Sequence, residues 1–559
     1  MIPYVIIGFT LAFLMAFFFI SEYLASKKRF ERLVKDANES YGRLTEKKIE
    51  QEALLYDKKF FERFRDSNSI DDITASDLDL DEIYNRLNIC LSAPGRQLFY
   101  YLLRTPLHDK DELKKLDKKV GFFSANRDVC NKYRALFLQI GNMRKTDFFE
   151  CLDCLENVAK KNIVLEFFTT IFPIVSLLIV FVNPQIGLAL FIFAACINIV
   201  SYYKSRGEIE AFVIFFGYIS NFLKRTRELA LISGDTVIDE TEAIKADLSK
   251  LKKFETFSFL VLNNNSSNTG AGNPLDILLD YLKMIFHIDI FKFYRMLDAV
   301  NTNRDSLEDL YINLGRIEAY INIASIRATF SFCKPENGLG IEAVNIYHPL
   351  IKDPVKNSIN TSNGVLITGS NASGKSTFLK TVALNVLFAN TIYTCLTDSF
   401  KIDDYVLFSS MSLRDDLVNK DSYFMVEIKA LKRIFDFIEN NPDKKVICFV
   451  DEVLRGTNTV ERISAVTQIL RTLSKDNVLC FAATHDIELT DLCADLFTNY
   501  HFEEEIIEDD ISFNYLLKEG KATSRNAIRL LSLMGFSNDL VDKARNMAGN
   551  FTDTGKWSV

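Results

Sequence analysis

The residues with the most recognisable chemistry lie in the stretch GSNASGKST, which begins at Gly369. It fits the pattern G-x-x-x-x-G-K-[ST], in which backbone N–H groups curl around nucleotide phosphates, the lysine reaches the outer phosphate oxygens and the hydroxyl binds Mg²⁺. An apolar, β-rich run at 365–368 precedes the loop and a helix-forming run at 377–387 follows it, which is the context that the pattern requires. The predicted nucleotide-binding residues are Gly369, Ser370, Asn371, Ala372, Ser373, Gly374, Lys375, Ser376 and Thr377.

Two further apolar runs end in side chains that could complete such a site. The run at 446–450 is followed by Asp451 and Glu452, and the run at 478–483 leads to Thr484 and His485. Parallel strands bring their carboxyl ends to one edge of a sheet, where ligands bind. We therefore expect Glu452 to polarise the attacking water and His485 to sense the γ-phosphate, the alternative for His485 being an ordinary loop histidine. The predicted catalytic residues are Glu452, His485 and Lys375, and the predicted metal ligands are Ser376 and Asp451.

Four segments, in this order along the chain, carry a resemblance to a known family. They read TGSNASGKST, RDDLVNKDSYFMVEI, DEVLRGTNT and ATHDIELT, and they resemble the four ATPase signatures of the MutS family of DNA mismatch-repair proteins. The resemblance covers about residues 345–547. It implies an α/β P-loop NTPase domain of the ABC and MutS type that uses ATP and Mg²⁺. It also implies a homodimer that holds each nucleotide between two subunits.

The second of these signatures places Ser422 directly before a helix-forming run at 423–437. On the family pattern this serine binds the nucleotide by approaching the γ-phosphate of the other subunit, and residues 455–459 lie along the shared interface. An ordinary helix N-cap is the alternative role for Ser422, and the two roles are compatible.

The chain also departs from the family pattern at three positions. Ser370 replaces a proline that the family usually carries, and Ser373 replaces a glycine. Both serines are small, so we expect the loop backbone still to surround and bind the phosphates. Where the family often has an aromatic residue that stacks on adenine, the nearest candidate is Val355. The sequence therefore does not decide between adenine and guanine.

Upstream of the ATPase region, residues 77–123 are similar to the opening of the family's helical core. Only some 75 residues precede them, so we expect the mismatch-recognition domain to be absent.

Residues 60–62 and 148–150 spell a Phe-x-Glu like the one that repair members insert at a mismatch. We expect both to be chance matches in a chain with 47 phenylalanines. Without a mismatch-recognition domain, no part of the protein would insert such a phenylalanine between DNA bases. The chain ends soon after Arg545, so a nuclease domain is not expected either.

Composition limits the partners and the compartment. The 559 residues suffice for several cores, and the net charge is −8. Residues 341–559 contain 23 lysines and arginines against 30 aspartates and glutamates, and no basic stripe of the kind that binding to a nucleic-acid backbone requires stands out there. The ten cysteines do not suggest a disulfide framework, because a nucleotide-hydrolysing domain belongs in a reducing cytoplasm. Cys151 and Cys154 form an isolated C-x-x-C, for which helix packing is favoured over metal binding.

Three apolar stretches, at 2–24, 163–182 and 186–203, have the length of about 20 residues that a membrane span needs. The last two surround Asn183, Pro184 and Gln185 and predict a tight transmembrane hairpin. Lysines and arginines next to the three stretches predict an external N-terminus and a cytoplasmic ATPase domain. Glu166, one turn into the second stretch, is interpreted as an interfacial residue in preference to a proton relay.

These predictions divide the chain into seven segments. They are a transmembrane anchor at 1–25, a juxtamembrane charged helix at 26–74, a MutS-core-like helical region at 75–162, the transmembrane hairpin at 163–203, a helical core or lever region at 204–335, the ATPase domain at 340–550 and a tail at 551–559.

Two functions are compatible with these features. A membrane-anchored MutS-like ATPase could act on DNA, in line with the role of the family in mismatch repair. The alternative is an ATP-driven, membrane-associated mechanoenzyme or scaffold without a DNA substrate, favoured by the acidic ATPase region and the expected lack of a mismatch domain. A transporter of the ABC type is disfavoured, because three spans are few for a permease half and the sequence has no Leu-Ser-Gly-Gly-Gln signature.

Overall fold

A computed structural model describes most of the chain in two compact units. The first unit comprises 1–64, 88–101 and 118–328, and the second comprises 65–87, 102–117 and 329–559. Two short segments from early in the sequence thus fold with the carboxy-terminal unit. The described residues are 21, 24–36, 39–45, 49–143, 146–156, 158, 163–232, 239–252, 254, 281, 284–370, 373–411, 423–455, 457–507, 510–522, 528, 531, 535–554 and 557.

Helices dominate the part of the chain that precedes the sheets. A helical stretch at 24–36 comes first. In chain order the helices that follow are α1 Gln51–Phe64, α2 Asp72–Asp77, α3 Leu80–Leu87, α4 Ala93–Arg104, α5 Lys110–Ala125, α6 Arg127–Ile140, α7 Phe148–Glu156, α8 Ile163–Val180, α9 Pro184–Ile232, α10 Asp239–Lys250, α11 Ile288–Thr302, α12 Arg304–Thr329, α13 Lys375–Thr391, α14 Tyr423–Asn440, α15 Thr459–Thr472, α16 Glu488–Leu492 and α17 Asn538–Thr554.

The strands form two sheets in the second unit. One has the order β1-β5-β2-β3 and the other β10-β9-β4-β8-β7-β6. In the larger sheet all neighbours pair in parallel except β10, which is antiparallel to β9. The strands are β1 Glu336–Asn337, β2 Ile341–Ile346, β3 Asn357–Thr361, β4 Gly364–Thr368, β5 Ser399–Ile402, β6 Val406–Ser410, β7 Val446–Asp451, β8 Val478–Thr484, β9 Phe497–Ile507 and β10 Asp510–Glu519.

The central strands of the larger sheet are continuous apolar runs because helices cover the sheet. Every residue of β4 and β8 is buried, as is β7 up to its last residue. Alternate residues of β7, Val446, Cys448 and Val450, belong to one apolar cluster with Leu431 of α14 and Leu470 of α15. The structure therefore confirms a mixed α/β carboxy-terminal part that follows a helical region.

Close helix packing in the first unit depends on two glycines. A Cβ on Gly95 of α4 would lie 2.0 Å from a carboxylate oxygen of Glu318, and a Cβ on Gly315 of α12 would lie 2.6 Å from the α4 backbone. The buried Glu318 accepts hydrogen bonds from the N–H groups of Leu91 (2.5 Å) and Ser92 (3.3 Å) and from the Ser92 hydroxyl. Its carboxylate thus binds the chain where it enters α4.

The phenylalanines of both Phe-x-Glu sequences lie in the packed interior of the first unit, whereas Glu62 and Glu150 are exposed. Phe60 and Phe149 are almost fully buried, with ring centroids 5.5 Å apart. Phe148 stacks on Tyr311 with centroids 4.2 Å apart. These phenylalanines form part of a core, where a side chain cannot reach a base step.

Helices α8 and α9 pack against each other as a hairpin that turns at 181–183. Large apolar side chains on both helices are exposed; Phe168 and Leu178 are each 62% exposed and Phe193 is 61% exposed. Among the described residues, Pro184–Tyr203 has the length and apolar composition of a membrane span, while the apolar segment Phe167–Val180 is shorter. The other predicted span, at 2–24, falls almost entirely outside the described residues, so the number of spans stays a prediction.

Candidate functional site

The predicted phosphate loop joins the buried strand β4 to helix α13. Gly369 and Gly374 have φ angles of 148° and 104°, which favour glycine. A Cβ on Gly369 would lie 2.8 Å from the Phe502 carbonyl oxygen, and a Cβ on Gly374 would lie 3.1 Å from the Tyr515 ring. The two glycines therefore allow a tight turn that leads directly into a helix N-terminus, an arrangement that binds phosphate.

Lys375 is the first residue of α13, and its side chain covers the loop. Its Nζ donates to the carbonyl oxygens of Gly369 and Ser370, both at 2.7 Å. Burial lowers the pKa of Lys375, and the nearby carboxylates of Glu452 and Asp451 oppose that shift. The structure thus brings the predicted phosphate-binding lysine next to the predicted acids.

Asp451, the last residue of β7, lies beside Ser376. The Ser376 hydroxyl favours the ionised form of the Asp451 carboxylate and so opposes a rise of its pKa. Burial is the main cause that raises the pKa of Asp451, and its Oδ1 atom is buried without a hydrogen-bond partner among the described residues. This pair fits Mg²⁺, which proteins usually hold with one or two carboxylates while substrate phosphates and water complete the octahedron. The described residues contain no group of three or more His, Cys, Asp or Glu side chains that could hold a metal ion without such help.

Glu452 follows directly and has an unusual backbone conformation, with φ of 49°. Its N–H donates to the carbonyl oxygen of Ala483 at 3.0 Å. One carboxylate oxygen lies 3.0 Å from the Arg455 guanidinium, and the other lies 3.7 Å from Nδ1 of His485. The neighbouring His485 imidazole is the main cause that lowers the pKa of Glu452, which favours the ionised form that a water-activating group needs.

Strand register explains why these side chains meet. Thr368 of β4 pairs with Thr484 of β8, and Asp451 of β7 pairs with Ala483 of β8. The three strands therefore end at one level. The phosphate loop, the two acids and His485 lie along this shared edge, as the sequence predicted.

A buried acid in α14 binds the backbone just after Asp451 and Glu452. Glu427 is 3% exposed and accepts a hydrogen bond from the N–H of Leu454, a residue with φ of 57°. Burial raises the pKa of Glu427. The sequence analysis missed this residue, although its place in the second MutS signature is a usable signal.

A segment from far upstream, residues 71–79, also supports the site. Three of its four acids bind three different elements of the second unit, and the sequence offers no signal for these contacts because more than 300 residues separate the partners. The contacts join Asp71 to Arg433 of α14, Asp77 to the hydroxyl of Ser409 (2.7 Å) and the N–H of Met411 (2.9 Å) at the end of β6, and Asp79 to Lys380 of α13 (2.5 Å).

A pocket of about 610 Å³ opens beside the phosphate loop. Val355, the nearest candidate for the base-stacking position, lies in its lining. The lining also contains an aromatic residue that the sequence analysis missed, Tyr515, whose carbonyl accepts a 3.0 Å hydrogen bond from Asn357. Burial lowers the pKa of His348 in the lining to about 4, so its ring is neutral at physiological pH. The pocket has the size of a nucleotide site.

Three predicted nucleotide-binding residues, Asn371, Ala372 and Ser422, lie outside the described residues. Their roles stay predictions, and so does the N-cap alternative for Ser422.

The largely parallel sheet, the glycine loop at a helix N-terminus and the acid at the end of a nearby strand are the features of a P-loop domain. Residues 365–552 match the family model of MutS domain V. This match supports the MutS family that the four signatures indicated.

Three curated proteins are similar to the chain over a comparable length. The DNA mismatch repair protein MutS of Fusobacterium nucleatum is 29% identical over 270 residues, which are 46% of this chain and 30% of that protein. The DNA mismatch repair protein MutS 2 of Haloarcula marismortui is 28% identical over 301 residues, 47% of this chain and 31% of that protein. MutS of Persephonella marina is 30% identical over 265 residues, 45% of this chain and 30% of that protein. The chain thus spans less than a third of the length of these relatives.

Proposed function

We propose that this chain is a Mg²⁺-dependent ATPase of the MutS type. The proposal rests on one observation: Lys375, Ser376, Asp451 and Glu452 converge at one sheet edge, beside a pocket of about 610 Å³. The similarity to MutS domain V supports the same reading.

The side chains have distinct roles in this proposal. Lys375 exchanges its contacts with the loop carbonyls for contacts with phosphate oxygens. Ser376 and Asp451 would hold Mg²⁺, which when bound offsets the negative charge of the phosphoryl group in transfer. Glu452 orients the attacking water and accepts its proton. His485, whose Nδ1 atom lies 3.7 Å from the Glu452 carboxylate, senses the γ-phosphate.

Replacement of Glu452 tests the assignment most directly. We expect Glu452→Gln to retain ATP binding and to lower turnover about 100-fold or more, since general-base catalysis contributes about 10²–10⁴-fold. Lys375→Ala should lose ATP binding. Phosphate release measures turnover and a fluorescent ATP analogue measures binding, with the surface change Glu342→Gln as a control. Normal turnover by Glu452→Gln would contradict the proposal.

We also propose that two copies share each nucleotide, with Ser422 of one copy completing the site of the other. A mixture of Lys375→Ala chains with Ser422→Ala chains tests this geometry. In such a heterodimer one site carries both defects and the other carries neither. Activity near half of the wild-type level per heterodimer is expected if the sites act independently, and a mixture no more active than the two separate variants would argue against this arrangement.

We further propose that the chain lies in the cell membrane, with the ATPase domain in the cytoplasm. The exposed apolar side chains of the α8–α9 hairpin support this location, because water does not favour a long apolar surface. Lys204 and Arg206, which follow the hairpin, support the orientation. A reporter fused after Val559 should be cytoplasmic and one inserted at Asn183 external. A cytoplasmic reporter at Asn183 would contradict a transmembrane hairpin formed by α8 and α9.

DNA is the partner that the family relationship suggests. The curated relatives are named DNA mismatch repair proteins. The net charge of −8 on this chain, however, does not favour binding to the negatively charged DNA backbone. The second candidate function, an ATP-driven membrane mechanoenzyme or scaffold without DNA, is favoured by the exposed hairpin. Binding of a duplex to the detergent-solubilised protein, measured at increasing salt, separates the two, because phosphate contacts make affinity fall steeply with salt.

A further inference from the structure

Two cysteines in the second unit face each other directly. Cys333 and Cys395 form an isolated antiparallel bridge. The N–H of each donates to the carbonyl oxygen of the other at 2.9 Å. Residues that exchange both backbone hydrogen bonds have Cα atoms about 5.5 Å apart, and disulfide-bonded cysteines have Cα atoms about 4.4–6.8 Å apart. The backbone pairing therefore places the two Cα atoms at a separation that a disulfide can span.

The two thiols differ in access and in acidity. Cys333 is half-buried, whereas Cys395 is fully buried. A hydrogen bond with the Cys395 side chain is the main cause that lowers the pKa of Cys333. Cys333, the more accessible member of the pair, thus forms a thiolate more readily, and the thiolate is the form that reacts with oxidants. An accessible, acidic cysteine beside a second cysteine that can resolve it is the arrangement found in redox-sensing sites.

We propose that Cys333 and Cys395 are a thiol-oxidation site that closes to a disulfide in reaction with a small disulfide such as oxidised glutathione. The Cys333 thiol loses its proton, and its sulfur attacks one sulfur of oxidised glutathione, which breaks the S–S bond and releases one glutathione thiolate. The Cys395 thiol then loses its proton and attacks the Cys333 sulfur, releasing the second. The two protons protonate the two leaving thiolates, so two protein thiols are oxidised and one glutathione disulfide is reduced to two thiols.

A second cysteine pair in the same unit provides an internal control. Cys448 and Cys480 pair across the parallel strands β7 and β8. Both are fully buried, and a hydrogen bond with Cys448, together with burial, raises the pKa of the Cys480 thiol. These thiols are neighbours without solvent access. They should remain reduced under conditions that oxidise the first pair.

The bridge would connect the segment after α12 to the turn after α13, the helix that begins with Lys375. It closes a loop of about 60 residues that contains the phosphate loop. Because a cross-link restricts the unfolded chain, oxidation should raise the temperature at which the second unit unfolds. The site does not depend on the proposed ATPase activity.

Peptide mapping of the full-length, detergent-solubilised protein tests the proposal. The protein is incubated with oxidised glutathione, the remaining thiols are alkylated, and the digest is analysed by mass spectrometry with and without dithiothreitol. We expect a linked peptide pair that joins Cys333 to Cys395 and disappears on reduction, while Cys448 and Cys480 carry no glutathione and form no link. A wild-type protein in which Cys333 ends as a stable glutathione adduct, or in which neither cysteine reacts, would overturn the proposal.

Two single substitutions test the order of the steps. Cys395→Ser should accumulate glutathione on Cys333, because the resolving thiol is gone. Cys333→Ser should prevent any reaction at the buried Cys395. Glutathione on Cys395 in that variant would overturn the assigned order, and an unfolding midpoint equal to that of the reduced wild type shows that each variant is folded.

Discussion

Ser373 occupies a position in the phosphate loop where the MutS family usually has glycine. Its side chain is 1% exposed, and its hydroxyl has no hydrogen-bond partner among the described residues. A buried hydroxyl without a partner costs free energy. Since Ser373 lines the pocket beside Lys375, a phosphate oxygen is the partner we expect.

We therefore predict that Ser373→Ala weakens ATP binding about fivefold, the equivalent of one hydrogen bond of roughly 1 kcal/mol. Stability without nucleotide should stay the same or rise slightly, because an unsatisfied polar atom is removed. Equilibrium titration with a fluorescent ATP analogue and urea denaturation measure the two effects. Ser373→Gly serves as the matched variant, and unchanged affinity in both variants would exclude a contact with phosphate.

A second residue, Glu318, makes the first unit sensitive to pH. Burial raises the pKa of its carboxyl group to about 7, although hydrogen bonds from Ser92 and Leu91 favour the charged form. The folded-state pKa lies above the unfolded value of about 4.3. The unfolded chain therefore releases this proton first, and the folded state loses stability as the pH rises from about 4 to about 7.

Glu318→Gln should remove this dependence. We expect the variant to gain stability relative to the wild type by about 2–4 kcal/mol on going from pH 4 to pH 8. Urea denaturation followed by circular dichroism at both values measures the difference. The exposed residue Glu112 offers a control, since Glu112→Gln should behave like the wild type at both pH values. A difference that does not vary with pH would contradict the assignment.

At the scale of elements, the segment 71–79 connects helices and strands that are distant in sequence. Asp77 is fully buried and accepts two hydrogen bonds with a single oxygen, from the Ser409 hydroxyl and the Met411 N–H. These groups lie at the end of β6, which pairs with β7, the strand that carries Asp451. Removal of the acid would take this acceptor away from the buried Ser409 hydroxyl and from the half-buried Met411 N–H.

We predict that Asp77→Ala destabilises the second unit by about 2–4 kcal/mol, the cost of leaving buried groups unpaired. Ser409→Ala should cost less, because the backbone N–H keeps its acceptor. In a double-mutant cycle by urea denaturation, the two changes together should cost less than their sum, since they share one interaction. Strictly additive costs would show that the contact contributes little to stability.

At the scale of the whole molecule, the chain combines a helical unit that carries an apolar hairpin with a unit that matches MutS domain V. If two copies share each nucleotide, ATP bridges them and strengthens their association by mass action. This makes the oligomeric state a direct readout of the proposed site.

We predict that Glu452→Gln protein forms dimers in ATP and Mg²⁺ and reverts towards monomers without nucleotide. Light scattering of the detergent-solubilised protein, corrected for bound detergent, measures the mass. Lys375→Ala should remain monomeric under both conditions, which makes it the control. A monomeric Glu452→Gln protein at saturating ATP would rule out the shared site.

The sequence by itself determined the parts of the site that depend on local patterns. An apolar run, a glycine loop and a helix-forming run specify the phosphate loop, because each requirement is met within about 20 neighbouring residues. The positions of Asp451, Glu452 and His485 followed from a general property of parallel sheets, whose carboxyl ends share an edge. The structure places all three there.

Only the tertiary structure decided which distant residues complete the site. The contacts of Asp77 with β6, the place of Tyr515 in the pocket and the pairing of Cys333 with Cys395 join segments separated by about 60 to more than 300 residues. No periodicity or motif marks such pairs, because they arise when strands and helices dock and not from the preference of any one segment. The residues of local motifs can thus be predicted from the sequence, whereas the contacts that support the site depend on how the folded elements pack.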